Sequence, residues 1–296
     1  MKRIFLLMTA AILVASLSFS SCERNDDPIN PNDPIENPDE PNQPNLAFPE
    51  MEVSQEQQKR IAILEEFTGD HCGYCPLGHS YANNIMTTHP GQVICINIHQ
   101  GYFAQNYITE WADAIAEMVG VTSYPSGCVN RHVFSGSMVQ DYGKWATRVG
   151  YIIGRNSCVN MAAQVVIDTT FRKMAVQVKG YYTAKSDSAT NRLNVVLLQN
   201  EVVGYQSNYG NYNTAQIDEN GNYHHQHMLR AMITGQWGDV IEDTKKEAAF
   251  DKVYFYDIPE KYGEDVAEIK NLEVVAFVAN GRSEIMTGVK ANIIYR

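Results

Sequence analysis

An α/β domain followed by an all-β domain is the architecture this sequence predicts, and three observations carry it. Between Ile61 and Ile153, short apolar runs alternate with stripes of helical spacing. From Val159 onward the helical stripes vanish and apolar residues alternate with polar ones. Near the end, Asn280-Gly281 stands between two such runs as a hairpin signal. A chain of 296 residues has room for two ordinary domains. The divisions expected are 1–21, a targeting segment; 22–50, a tether; 51–157, the α/β domain; and 158–296, the β domain.

The first 21 residues read as a secretory signal peptide. Lys2 and Arg3 give a basic start, Ile4 to Leu17 is nearly all apolar, and Ser18-Phe19-Ser20-Ser21 precedes Cys22. A signal ending on cysteine resembles that of a bacterial lipoprotein, which implies lipidation of Cys22; Phe19 departs from the usual Leu. From Glu23 to Glu40 there are seven acids and one base, with proline every few positions to residue 44. Such a segment cannot bury enough apolar surface to fold. Held extended by proline, about 25 residues at ~3.1 Å each reach roughly 70–80 Å from a membrane. The acids following Cys22 also resemble the surface-export signal of Bacteroides-type lipoproteins. An outer-membrane lipoprotein, facing the periplasm or the cell surface, is the location expected. The net charge of −11 argues against a nucleic-acid partner.

In the α/β domain, Ile61 to Leu64 begin a buried strand that continues through Glu65-Glu66-Phe67 into Thr68-Gly69. Cys72-Gly73-Tyr74-Cys75-Pro76 follows, with Pro76 in the first turn of a helix, where its missing N–H is harmless. Leu77, Tyr81 and Ile85 lie four apart on that helix, and His89-Pro90-Gly91 ends it. Val93 to Ile98 is a second strand, and Ile108, Trp111, Ala112, Ile115, Met118 and Val119 form a helical stripe. Val129 lies in a third strand; Tyr142, Trp145, Ala146, Val149, Ile152 and Ile153 repeat the stripe.

Two cysteines separated by two residues close a small reversible disulfide. At a helix start the leading sulfur also meets free N–H groups and the positive dipole end, which favour the nucleophilic thiolate. The same spacing serves zinc, so its surroundings have to decide. Strand, C-x-x-C at a helix start, strand, helix, then Tyr124-Pro125 before a third strand resembles the thioredoxin fold. That resemblance implies a cis peptide at Pro125 beside the disulfide. It also implies a proton-moving acid six residues before the first cysteine, which is Glu66 here. The catalytic set implied is Cys72 as nucleophile, Cys75 as resolving thiol, Pro125 positioning the substrate strand and Glu66 relaying a proton. His71 in place of Trp, Gly-Tyr in place of Gly-Pro and the bulky Tyr124 are departures that bear on substrate choice.

Leu64-Glu65-Glu66-Phe67-Thr68-Gly69 with the C-x-x-C-P motif, on a lipoprotein with a β-rich second half, resembles the twenty-eight-kilodalton outer-membrane protein family of Bacteroides-type bacteria. That family's name describes a location and implies little about mechanism.

Six cysteines in a chain of this size are too few for a disulfide scaffold. Cys95 reads as a small buried residue in mid-strand. Cys128 and Cys158 could pair. His71 and His79 flank the cysteine pair, so a Cys2His2 zinc site is conceivable, although His71 adjoins Cys72 directly and the spacing is poor. His225 and His227 would share one face of a strand, which opens a surface metal site against the more ordinary reading of an exposed strand edge. Neither metal nor cofactor is expected: there is no Gly-rich phosphate loop, G-x-S-x-G or H-E-x-x-H.

In the second half, Met174, Val176 and Val178 alternate with polar residues, and Leu193 to Val203, Ala249 to Tyr256, Leu272 to Ala279 and Ile285 to Ile294 are strand-like. Six to eight strands in this length suggest an immunoglobulin-like β-sandwich without the Cys–Trp–Cys spacing of antibody domains. Tyr205 to Tyr223, rich in Tyr, Asn and Gly, reads as a long loop. Two functions follow. One is a membrane-anchored thiol-disulfide oxidoreductase acting on envelope or surface proteins that carry disulfides or thiols. The other is a non-catalytic binding or structural lipoprotein on a thioredoxin-like scaffold.

Overall fold

The computed structural model describes residues 43–296 except Ala189. The signal peptide, Cys22 and the tether to residue 42 lie outside the described residues. The last part of the expected tether lies along the β-rich half. Asn45 N donates to Asp168 Oδ2 (2.9 Å), and Gln164 Nε2 donates to Pro49 O (2.8 Å).

The chain is mostly β, with mixed sheets and few helices. Strand β1 (Ala62–Thr68), helix α1 (Cys75–Thr88), strand β2 (Val93–His99), helix α2 (Ala112–Val119), strand β3 (Ser126–Val129) and helix α3 (Trp145–Ile153) come first. Strands β1 and β2 run parallel, and β3 lies antiparallel on the other side of β1. Every residue of β1 and β2 is buried, as expected of strands covered on both faces.

Long strands then follow: β4 (Val159–Asp168), β5 (Lys173–Tyr182) and β6 (Asn191–Gln199). Shorter ones come next: β7 (Val202–Gly204), β8 (Tyr223–His225), β9 (Met228–Met232) and β10 (Asp239–Ile241). After β11 (Ala249–Asp257), the two-residue strands β12 (Lys261–Tyr262) and β13 (Asp265–Val266) form a small ribbon. The chain ends with β14 (Leu272–Asn280), β15 (Ile285–Lys290) and β16 (Asn292–Tyr295).

These strands do not close on themselves. The order β15-β14-β6-β9-β2-β1-β3, with β10 beside β6, makes one eight-stranded sheet that crosses the boundary expected between 157 and 158. The crossing point is β9, which pairs with β6 on one side and meets β2 at Asn97 opposite Met228. The second sheet, β11-β5-β4-β16, packs its apolar face onto the β6–β14 region, and the core between them includes Val165, Val176, Val195, Leu197, Val274 and Ala276. The expected run from Ile285 to Ile294 divides at Ala291: β15 stays with β14, while β16 moves to the second sheet beside β4.

Alternation along β1 sorts its side chains. Ala62 and Leu64 pack with Ala82 and Ile85 of α1 and Trp145, Val149 and Ile152 of α3. Ile63 and Phe67 point the other way, into a core shared with α2 and with Val196, Val275 and Phe277 from the second half. The sheet curls until β15 returns to β1, and Asn130 ties the seam. Its Oδ1 accepts from Ile63 N (2.7 Å), and its Nδ2 donates to Ile285 O (3.0 Å).

Two helices differ from their sequence stripes. α2 begins at Ala112, leaving Ile108 half exposed in the preceding loop. On α1 the buried positions are Cys75, Pro76, Gly78, His79, Ala82 and Ile85, whereas Tyr81 is exposed. The face that this helix needs is set by the sheet beneath its first turn, which accommodates glycine and histidine.

Candidate functional site

Cys72 and Cys75 form a disulfide, with Cα atoms 5.3 Å apart. Cys75 opens α1 and Cys72 lies just before it, its carbonyl accepting from Cys75 N at 3.1 Å. The Tyr124–Pro125 peptide is cis, and Pro125 leads into β3. Gly78, one turn along from Cys75, is the point of closest approach. A Cβ there would fall 2.6 Å from Glu66 Oε1 and 2.7 Å from Pro125 Cβ, so only glycine lets carboxyl and proline pack under the helix. Glu66, Cys75 and Pro125 therefore gather around one helical turn, with Cys72 bonded to it.

Adjacent carboxylates on β1 have opposite surroundings because successive residues face opposite ways. Glu65 points away from α1 and meets the buried Arg131, whose Nε donates to Glu65 Oε2 at 2.8 Å. Glu66 points toward α1, is fully buried, and neither of its oxygens has a hydrogen-bond partner. Burial alone pushes its carboxyl well above the ordinary value. The nearest cationic candidate, His79 Nε2, is 3.9 Å away. His79 is buried as well, and burial, aided by His225, lowers its pKa to about 3. A weakly basic imidazole thus faces a carboxyl that burial biases toward its acid form.

Other buried polar rings gather beyond His79. Its ring centroid is 5.7 Å from that of Tyr223, and Tyr223 is 5.0 Å from His225. His225 stands 5.3 Å from His99, whose two ring nitrogens have no partner. Burial lowers the pKa of His99 and takes that of His225 down to about 4. Of these residues, sequence reasoning placed only His79 near the cysteine pair; Tyr223, His225 and His99 were not linked to it.

The largest difference from expectation is the segment between β7 and β8. Those strands pair antiparallel, so residues 205–222 leave and return at one place, and the segment folds over the disulfide as a strap. Tyr209 N donates to Gly73 O (3.0 Å) and Ser207 N to Asp70 O (2.7 Å). Gln206 Nε2 donates to Gly69 O (3.2 Å) and Cys72 O (3.1 Å). The Tyr209 ring covers Gly73, where a Cβ would collide with it, and meets Tyr74 edge-on at 5.5 Å. Tyr205 lies 5.0 Å from the His71 ring. Under this cover Cys72 is 4% exposed, while Tyr74 beside it is 54% exposed. The sequence showed only a run rich in Tyr, Asn and Gly, and nothing in its spacing linked it to a motif about 130 residues earlier.

The remaining candidates separate. Cys128 and Cys158 are both free thiols rather than a pair. Cys128 is buried in β3 with its Sγ 3.3 Å from Glu65 Oε2, and Cys158 is half-buried just before β4. Cys95 is buried in β2. His71 sits outside, 3.6 Å from Asp70, while His79 turns inward to Thr68, so the two histidines do not converge on the sulfurs. His225 and His227 do not share a strand face: His225 ends β8, and His227 follows in a left-handed conformation with φ 51°. His227 Nδ1 is 3.3 Å from Glu273. Among the described residues, no group of three His, Cys, Asp or Glu side chains is placed to hold a metal ion.

Comparison with known proteins adds family and location. A search of curated proteins gives no match. Among solved structures, HBP35 of Porphyromonas gingivalis is similar over 80% of this chain and 76% of its own, with a TM-score of 0.65 and 17% identity. A protein of Agrobacterium tumefaciens is similar over 79% of this chain and 96% of its own, with a TM-score of 0.50 and 11% identity. A domain of the outer membrane lipoprotein Omp28 from Porphyromonas gingivalis matches 47% of this chain and 91% of its own, at a TM-score of 0.32 and 20% identity. The first two likenesses concern the fold alone. The family model for outer membrane protein Omp28 matches residues 112–294, which include Pro125 and the strap but not the cysteine pair. With most of its length matched, the chain belongs to the Omp28 family of outer membrane proteins and is located at the outer membrane.

Proposed function

We propose that this protein is a lipid-anchored thiol-disulfide oxidoreductase in which a thioredoxin-like half, 51–157, is joined through a shared sheet to an immunoglobulin-like sandwich half, 158–296. The observation that carries the reading is the Cys72–Cys75 disulfide at the start of α1, over buried Glu66 and beside cis Pro125. The order β1-α1-β2-α2-β3, with β1 and β2 parallel and β3 antiparallel, supports the same reading. Cys72 attacks a partner's disulfide sulfur, Cys75 then attacks Cys72, and Glu66 handles the proton of Cys75. Pro125 positions the incoming strand. Lipidated Cys22 holds the protein at the outer membrane, where its partners are envelope or surface proteins with disulfides or thiols.

A second reading, a non-catalytic surface lipoprotein, is favoured by one observation: Cys72 is 4% exposed under the strap. A structural disulfide would suit that burial. Expression of the Cys75→Ser variant in cells separates the two. The oxidoreductase leaves substrate proteins joined to Cys72 as mixed disulfides that are absent from a Cys72→Ser, Cys75→Ser control. If both variants carry the same set of adducts, the non-catalytic reading stands.

A further inference from the structure

Glu66 lacks a hydrogen-bond partner, yet a bonded chain of side chains begins 3.9 Å from it and runs into the strap. His79 Nε2 is 2.9 Å from Thr68 Oγ1, and His79 Nδ1 is 2.7 Å from the Tyr223 hydroxyl. That hydroxyl lies 2.8 Å from both Gln216 Oε1 and Asn213 Nδ2. Gln216 Oε1 can only accept, so the single hydroxyl proton of Tyr223 goes to it. His79 must then donate through Nδ1, which leaves the Nε2 lone pair facing the Thr68 hydroxyl and the Glu66 carboxyl. Gln216 and Asn213 are half-buried in the strap, within reach of water. Mutual satisfaction of His79 and Tyr223 would explain their own bonds. It does not explain why the chain ends against an acid that has no hydrogen-bond partner.

We propose that Glu66 exchanges its proton with solvent through His79 and Tyr223, making these two residues positioning residues for the reaction of the cysteine pair. The proposal rests on the oxidoreductase reading. With glutathione disulfide as oxidant, the Cys72 thiolate attacks one sulfur, forms a mixed disulfide and expels one glutathione thiolate. Cys75 then gives its proton to one oxygen of Glu66 while, as the side chains close their 3.9 Å gap and Thr68 turns its hydroxyl aside, the proton held by that carboxyl passes to His79 Nε2. His79 releases its Nδ1 proton to the Tyr223 oxygen, the Tyr223 proton passes to Gln216 Oε1, and Gln216 Nε2 releases one proton to water, the resulting imidic acid returning to the amide by exchange with solvent. The freed Cys75 sulfur attacks Cys72 Sγ, breaking its bond to glutathione and expelling the second thiolate. Glutathione disulfide gains two electrons, the cysteine pair loses them, and one proton reaches solvent. No step leaves a lasting charge on the buried imidazole, in keeping with its low basicity.

The full chain, reduced and then mixed with glutathione disulfide, tests this. Release of the first glutathione should be the same in wild type and Tyr223→Phe. Release of the second should slow about tenfold or more in Tyr223→Phe, a part of the ~10²–10⁴ that a positioned proton-transfer group contributes. Added imidazole, which carries protons from solution, should restore it, and a purely structural defect would not respond. Gln216→Ala, in a half-exposed turn, should show the same slowing and the same rescue even if Tyr223→Phe fails to fold. Second release at the wild-type rate in Gln216→Ala and in any folded Tyr223→Phe overturns the relay and leaves the redox reading intact. A wild type that never releases a second glutathione overturns the redox reading itself.

Discussion

Replacing Glu66 by Gln should stabilise the protein at neutral pH, by an amount that grows with pH. Burial places the Glu66 carboxyl well above its ordinary value of 4.5, and no hydrogen bond or cation offsets that burial. Between its unfolded and folded pKa values, the native state holds a proton that the unfolded state has released. Stability therefore falls as pH rises across that window, by about 1.4 kcal/mol per pH unit. In a chain of this size, each pH unit inside the window corresponds to about 3–5 °C in Tm. The substituted amide has nearly the same shape as the carboxyl and does not titrate, so other ionisable groups cancel when the variant is compared with wild type. Urea denaturation of both proteins at pH 5, 6, 7 and 8 gives the comparison. The variant should gain on wild type steadily above pH 5 and level off beyond the folded pKa. A difference that stays constant over the whole range would refute the claim that Glu66 is held protonated by its surroundings.

Opening the strap should expose the disulfide. Gln206→Ala with Tyr209→Ala removes the two side-chain hydrogen bonds that reach the cysteine segment and an aromatic contact, together worth about 2 kcal/mol. If reduction waits on opening, dithiothreitol should reduce the Cys72–Cys75 bond roughly thirtyfold faster in the double variant; an unchanged rate would show that the strap does not guard it. Arg131→Met strands the buried Glu65 carboxylate and should cost about 3–5 kcal/mol, whereas adding Glu65→Leu should recover most of it. Denaturation of the single and double variants checks this, and equal losses in both would contradict the pairing. Native alkylation should label half-buried Cys158 first, leaving Cys95 and Cys128 unmodified until the chain unfolds; peptide mapping gives the order.

What could be read from the sequence was what depends on short distances along the chain. The strand ending at Thr68 and the helix starting at Cys75 are set by local alternation and by Pro76, and Glu66 lies six residues before Cys72 within that local geometry. The fate of the adjacent Glu65 was less accessible, because its partner Arg131 reaches it from the turn after β3. His79 and Tyr81 lie on the same helix, yet the first is buried and the second exposed; only the sheet beneath distinguishes them. The Asn280-Gly281 hairpin was legible because a tight turn demands those residue types, and Gly281 has φ 57°. The continuous sheet was not. β9 joins the two halves through a short contact at Asn97, where Asn97 Nδ2 also donates to Gln226 O at 2.8 Å. The strap was equally hidden, since tyrosines and asparagines that cover a distant motif have the same composition as those of a free loop.

An oxidoreductase of this design needs Cys72 to be a nucleophile once the disulfide is open. The most direct measurement is the mass of the Cys75→Ser chain after brief exposure to glutathione disulfide, followed by mapping of the modified peptide. A single glutathione on Cys72, formed well before any on Cys158, is the predicted result. Modification of Cys158 with Cys72 left untouched would contradict it.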